Sequence, residues 1–189
     1  MSFGPGYTRD VTRAQWVDNI EDPTVTNTYG TRYLFGMLDQ HELSSDIRLD
    51  WTFTPKMSLQ LYIQPLISVG AYDHFRELKE PREYSFTEYP DADVDYDGSD
   101  YTVYPEGRDP GKPNFSFSNP DFNFKSLRGN AVLRWEYLPG STVYFVWTRN
   151  GTHFDNPGDF SFGRDFRNLM TAPDHEDVFL IKLAYWITP

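Results

Sequence analysis

From Leu43 to Thr54 the side chains alternate in kind: Leu43, Ser45, Ile47, Leu49, Trp51 and Phe53 stand on one parity, Ser44, Asp46, Arg48, Asp50, Thr52 and Thr54 on the other. A period of two fits a β-strand whose two faces meet different surroundings, because a helix would scatter the same residues around its circumference. Thr54-Pro55-Lys56 then reverses the chain, with proline where a ladder donor would be lost. From Met57 to Ile67, Leu59, Leu61 and Ile63 oppose Ser58, Gln60, Tyr62 and Gln64, which makes a second strand of the same kind.

The same grammar returns between Leu127 and Thr148. Leu127, Ala131, Leu133, Trp135 and Tyr137 face one way, and Arg128, Asn130, Arg134 and Glu136 the other. Leu138-Pro139-Gly140 closes a turn before Val143, Phe145 and Trp147 alternate with Thr142, Tyr144 and Thr148. Trp51, Phe53 and Pro55 match Trp135, Tyr137 and Pro139 in spacing, so each hairpin carries an aromatic pair just before a proline turn. A last strand spans Val178 to Thr188, with Phe179, Ile181, Leu183, Tyr185 and Ile187 against Lys182 and Ala184. A further strand is expected around Tyr33, Phe35 and Met37, reversing at Asp39-Gln40-His41.

The turns at Pro55 and Pro139 are minimal, whereas the connections near 70–123 and 150–177 are long. In an antiparallel meander that alternation gathers short turns at one end and long loops at the other, as in an outer-membrane barrel with periplasmic turns and extracellular loops. Trp51, Phe53, Trp135, Tyr137 and Tyr185 would then form part of an aromatic girdle at the lipid interface. A mean hydropathy of −0.62 does not oppose this, since membrane strands expose only every second side chain to lipid. No stretch approaches the roughly 20 apolar residues of a transmembrane helix. A soluble β-sandwich or lipocalin-like barrel, with the same alternation turned inward, is the competing architecture. Against it stand the long loops and the aromatics collected beside the short turns.

About six strands are visible, and membrane barrels begin at about eight. The expected fold is therefore all-β, an antiparallel up-and-down transmembrane β-barrel, of which 1–189 is a single C-terminal segment. Met1-Ser2-Phe3-Gly4-Pro5-Gly6-Tyr7 has no basic or apolar signal region, so the chain is expected to be the downstream part of a longer exported precursor rather than a cytoplasmic protein.

A net charge of −11 argues against nucleic acid as a partner. The absence of cysteine excludes disulfides, thiolate catalysis and a Cys-type zinc site. His41, His74, His153 and His175 stand apart without metal spacing or a nucleophile motif, and no carboxylate pair is singled out for hydrolysis, so an enzyme is not expected.

The segment Trp51-Thr52-Phe53-Thr54-Pro55-Lys56-Met57-Ser58-Leu59-Gln60-Leu61-Tyr62-Ile63-Gln64-Pro65 and the segment from Asn119 to Tyr137 carry a family likeness, joined by Tyr7-Thr8-Arg9-Asp10, Gln15-Trp16-Val17 and Val178 to Trp186. The chain resembles the C-terminal barrel domain of unknown function (DUF5916-type) that follows a family 9 carbohydrate-binding module in bacterial outer-membrane proteins. The resemblance implies a Gram-negative outer-membrane location and a barrel whose upstream strands and sugar-binding module lie outside this sequence. It brings no catalytic residues to carry over.

Two local features invite a functional reading. Asp93, Asp95 and Asp97, followed by Gly98, match the first half of a calcium loop, but Tyr104 stands where a bidentate Glu belongs. A weak Ca²⁺ site and a merely solvated acidic loop both fit; no other cofactor is expected. The loop aromatics Tyr72, Phe75, Tyr84, Phe86, Tyr89, Tyr101, Tyr104, Phe115 and Phe117 are expected to pack the long loop into a cap, with stacking on sugars as the functional alternative. Asp46, Arg48, Asp50, Arg128, Arg134, Glu136 and Lys182 are expected to line the lumen, their mixed signs neutralising one another between strands. The expected function is a membrane scaffold or transport barrel of unknown cargo, in contact with outer-membrane lipid and with upstream strands of the same barrel; the alternative is a surface glycan-binding protein acting with the upstream module.

Overall fold

Alternation carries through into long antiparallel strands in the computed structural model, which describes residues 1–171 and 174–187. In chain order the elements are β1 (Ser2–Glu21), β2 (Thr31–Thr54), β3 (Met57–Leu78), β4 (Phe86–Glu88), β5 (Val94–Tyr96), β6 (Asp100–Val103), β7 (Phe115–Ser118), β8 (Phe122–Leu138), β9 (Ser141–Asp155), α1 (Phe162–Met170) and β10 (Asp174–Ala184). The six long strands pair in the order β1-β2-β3-β8-β9-β10, every neighbour antiparallel, and β4 adds to the tip of β3. β5, β6 and β7 form a small separate sheet. The fold is thus all-β and antiparallel, but it is an open sheet with β1 and β10 at its edges rather than a closed ring among the described residues.

The register decides what the alternation means. Residues directly opposite each other share a face, and the ladder sets Phe3 opposite Ile47, Ile47 opposite Ile63, Leu59 opposite Leu133, Leu133 opposite Phe145 and Phe145 opposite Ile181. One face therefore carries an unbroken apolar band across six strands. On the other face Arg48 stands opposite Tyr62, Tyr62 opposite Asn130 and Asn130 opposite Thr148. A slip of one residue in any pair would exchange the faces, so the match over six strands is strongly specified.

Several expectations are corrected. The strand around Tyr33 to Met37 does not reverse at Asp39-Gln40-His41; β2 runs straight through, because Asp39 is paired on both sides, with Val11 and with Ala71. β1 is a strand that the alternation does not announce; it is held by β2 alone, and Pro5, which lacks an N–H, is tolerated at that edge. The long connections are shorter than 70–123 and 150–177, since β3 extends to Leu78 and β9 to Asp155, and the first holds its own small sheet and the second a helix. The last strand begins at Asp174 and leaves the ladder after Ala184; Trp186 instead donates its backbone N–H to Ser141 Oγ at 3.0 Å, and Thr188 lies outside the described residues.

The short turns do lie at one end and the long connections at the other. Gly140 takes φ +75° in the Pro139-Gly140 turn, a conformation glycine adopts without strain. At the loop end Leu34, Phe75, Tyr89, Val103, Phe115 and Phe117 form a buried core, with Tyr72 and Tyr101 packed against it. Of the nine loop aromatics expected to pack together, Phe75, Tyr89, Phe115 and Phe117 are buried in this unit and Tyr72 and Tyr101 lie against it, joining the small sheet to β2 and β3, whereas Tyr84 is exposed.

Candidate functional site

The polar and apolar side chains of interest are distributed over the two faces of the long sheet. On the polar face Asp46 gathers two donors, the Tyr62 hydroxyl at 2.7 Å and Gln64 Nε2 at 2.8 Å. The Arg48 guanidinium lies over the Tyr62 ring, 4.8 Å from its centroid. Lys182 lies over Tyr144 in the same way, and Arg134 sits 3.6 Å from Glu136 on its own strand. The expected neutralisation between strands thus takes the form of cation–π contacts and neutral donors more than cross-strand ion pairs. Two clefts open on this face: one of about 600 Å³ lined by Gly4, Gly6, Ser44, Asp46, Gln64 and Arg128, another of about 460 Å³ lined by Arg48, Asp50, Gln60, Tyr62 and Asn130.

The apolar face is uncovered through most of its height. Trp51 is 55% exposed, Ile181 69% and Phe179 76%. Trp51 stacks on Phe53 at 5.0 Å between ring centroids, and Trp135 meets Tyr137 edge-on at 6.3 Å. Both pairs sit beside the proline turns, as their spacing implied. On β2 the band runs from Leu43 to Phe53, ten residue steps, or about 33 Å along the strand at roughly 3.3 Å per residue. A tilt of roughly 40° reduces that to about 25 Å, the height of the apolar belt of a membrane barrel.

Where the band ends toward the loops, the same face becomes ionic. Arg9 grips Asp39 through Nε at 2.9 Å and a terminal nitrogen at 2.6 Å, and Trp147 Nε1 donates to Asp177 at 2.8 Å. Lys125, wholly buried, lies 2.7 Å from Asp155 and 3.6 Å from Asp165. Asp165 belongs to α1 and is itself wholly buried. Burial alone would push its pKa up, yet the Arg164 guanidinium, the Ser161 backbone N–H and the Asn123 amide donate to it and hold it below the ordinary value. Next to this cluster Leu169 of α1 packs on Ile67, Val69 and Leu127. These charges were not anticipated, although Lys125 standing on the apolar parity of β8 was a visible signal.

At the cap, Arg32 pairs with Asp22 at 2.8 Å and Glu77 at 2.6 Å, its guanidinium 5.3 Å from the centre of the Phe115 ring. Hydrogen bonds from the Thr24 hydroxyl and then Arg32 hold the Asp22 carboxyl down at about 2.

The three aspartates of the calcium reading each have their own place in the geometry. Asp95 is gripped by Arg108 through two nitrogens at 2.6 and 2.8 Å. Asp97 accepts the backbone N–H groups of Ser99 and Asp100 at 2.9 and 2.8 Å and so closes the turn between β5 and β6. Asp93 engages through its backbone carbonyl, which accepts the Tyr104 N–H. Among the described residues no group of three His, Asp or Glu is placed to hold a metal ion.

A family model described as Domain of unknown function (DUF5916) matches residues 5–188. No curated protein and no solved structure matches the chain.

Proposed function

The chain belongs to the DUF5916 family, and from that premise we propose that it forms part of an outer-membrane β-barrel whose apolar band meets lipid and whose polar face lines the lumen, serving as a membrane scaffold or as a passage for a polar cargo. One observation carries the proposal: the register aligns apolar rows of six strands on one exposed face, while the clefts open on the other. A soluble sandwich would turn those apolar rows toward each other. Leaving Phe179, Ile181 and Trp51 in water would run against the hydrophobic effect at about 25 cal/mol per Å². Further strands of the same barrel are proposed to pair along the outer edges of β1 and β10.

Absence of cysteine makes the test direct. In membranes from cells expressing the protein, Leu61→Cys and Gln60→Cys sit on adjacent residues of β3 and point to opposite faces. A water-soluble maleimide should label the Gln60 variant, and a lipid-dissolved one the Leu61 variant. Equal labelling of both by the water-soluble reagent, or recovery of the chain without membranes, overturns the proposal. The glycan-binding alternative is supported instead if this chain binds a glycan array.

A further inference from the structure

Helix α1 lies on the apolar face of the sheet, and it lies crosswise. Asp165 meets Asn123 on β8, Leu169 meets Ile67 and Val69 on β3, and the N-terminal end follows directly from β9. At 100° per residue the side chains can be placed around the helix by their partners. Asn168 reaches toward the loops, to Asp155 at 3.4 Å, and Arg164 on the same flank binds Asp159 at 3.0 Å. Asp165 comes next, over Asn123 and Lys125. Leu169 follows, lower on the sheet, over Ile67 and Leu127 with Ile63 beyond. Continuing the same rotation brings Phe162, Phe166 and Met170, spaced four apart, to the flank that faces down along the apolar band.

That flank is uncovered. Phe162 is 60% exposed, Phe166 47% and Met170 51%, and the two phenylalanine rings stack at 5.7 Å. Three large apolar residues on a nine-residue helix, beside the exposed Arg167, form an amphipathic surface with no apolar partner among the described residues. Its position answers what covers it. The stripe continues the apolar band at the upper edge of β3 and β8, where Leu169 already joins helix to sheet.

We propose that α1 is an interfacial helix, seated in the lipid surface at the loop-side rim of the barrel, with Phe162, Phe166 and Met170 among the upper acyl chains and Arg167 at the level of the lipid phosphates. This rests on the membrane assignment of the sheet. The helix then does two things at once. It anchors the rim, and it roofs the first charged row of the sheet, so that Lys125, Asp155 and Asp165 pair beneath protein instead of facing hydrocarbon.

The test is spin-label accessibility of the full chain reconstituted in liposomes. Single cysteines replace Phe166, Met170, Arg164 and Leu61 in turn, and each nitroxide is probed with dissolved oxygen, which concentrates in lipid, and with a water-soluble nickel chelate. The expected result is oxygen-dominated collision at Phe166→Cys and Met170→Cys, chelate-dominated collision at Arg164→Cys, and oxygen-dominated collision at Leu61→Cys. Chelate-dominated collision at both Phe166→Cys and Met170→Cys while Leu61→Cys stays in lipid overturns the helix proposal alone. Chelate-dominated collision at Leu61→Cys as well overturns the membrane assignment beneath it. Met170→Cys guards against a folding defect of the Phe166 variant, because it removes a side chain that is half exposed.

Discussion

Lys125 and Asp155 face each other at 2.7 Å across adjacent strands, the lysine wholly buried on the row where the apolar face of the sheet gives way to charge. A buried ion pair offsets the desolvation of its members only when hydrogen bonds satisfy what is left over. Here Asp165 supplies a second carboxylate at 3.6 Å, and Asn123 and Arg164 complete the set. The cluster fixes where α1 sits, because the helix cannot leave without exposing Lys125 to a different partner.

Replacing Lys125 by Met takes from Asp155 its partner at 2.7 Å, while Asp165 keeps the Arg164 guanidinium at 2.9 Å, so the loss should be about 1 to 3 kcal/mol. The expected outcome is loss of hydrogen-exchange protection across 161–171 before the long strands lose theirs. Adding Asp155→Asn should restore part of the stability, since Lys125 and Asp155 pair directly at 2.7 Å and their effects do not add. Independent, additive losses in urea unfolding would refute the coupling.

Gly70 is a steric requirement of β3 rather than a turn. A Cβ placed there would stand 2.7 Å from Leu38 Cδ1 and closer still to the Phe122 ring. Gly70→Ala should therefore destabilise by about 1 to 3 kcal/mol through overpacking, although alanine is the better strand residue. The unfolding midpoint measures it, and the increment caused by Gly70→Ala should be smaller in a Leu38→Ala background, where one of the two crowded neighbours is gone.

The Asp22 carboxyl, held at about 2 against an ordinary 3.8, makes the β1–β2 connection sensitive to acid. Its folded pKa is depressed, so its contribution is complete above pH 3.8 and is lost as the pH falls toward 2. Asp22→Asn should lower stability by roughly 1 kcal/mol at pH 6. The gap between variant and parent in thermal midpoint should close between pH 4 and pH 2. A gap that stays constant over that range would show that Asp22 is not the group being titrated.

The hairpins at Pro55 and Pro139 were legible because periodicity, turn chemistry and burial all point to one answer there. β1 was not, because Gly4, Pro5 and Gly6 carry no strand preference and the segment is extended only by pairing with β2. β2 passes through Asp39-Gln40-His41 for the same reason: hydrogen-bonded neighbours on both sides outweigh a local turn signal. The aspartates at 93, 95 and 97 look like ligands in sequence, but Asp93 ends a short 3-10 turn, Asp95 lies on β5 and Asp97 closes the turn that follows, and Arg108, which takes Asp95, arrives from elsewhere in the loop. Periodicity reports which face a residue occupies, not which distant side chain will meet it. Helix α1 was hidden because its inner face is only Asp165 and Leu169.

The orientation of the sheet predicts opposite fates for one substitution at neighbouring positions. Gln60 stands across from Asp50 on the polar face, so Gln60→Arg gains an acidic neighbour in an aqueous lining and should leave folding in liposomes within about 0.5 kcal/mol of the parent. Leu61 stands between Leu49 and Ala131 in the middle of the apolar band. An arginine there must be solvated against hydrocarbon, so Leu61→Arg should lose about 2 to 4 kcal/mol in urea titration of the liposome-folded chain. Thinner bilayers should shrink that loss, because a shorter hydrocarbon span lets the guanidinium reach the headgroups. Equal losses at the two positions, independent of lipid, would mean that the two faces meet the same medium, and a lipid-facing band could not survive that result.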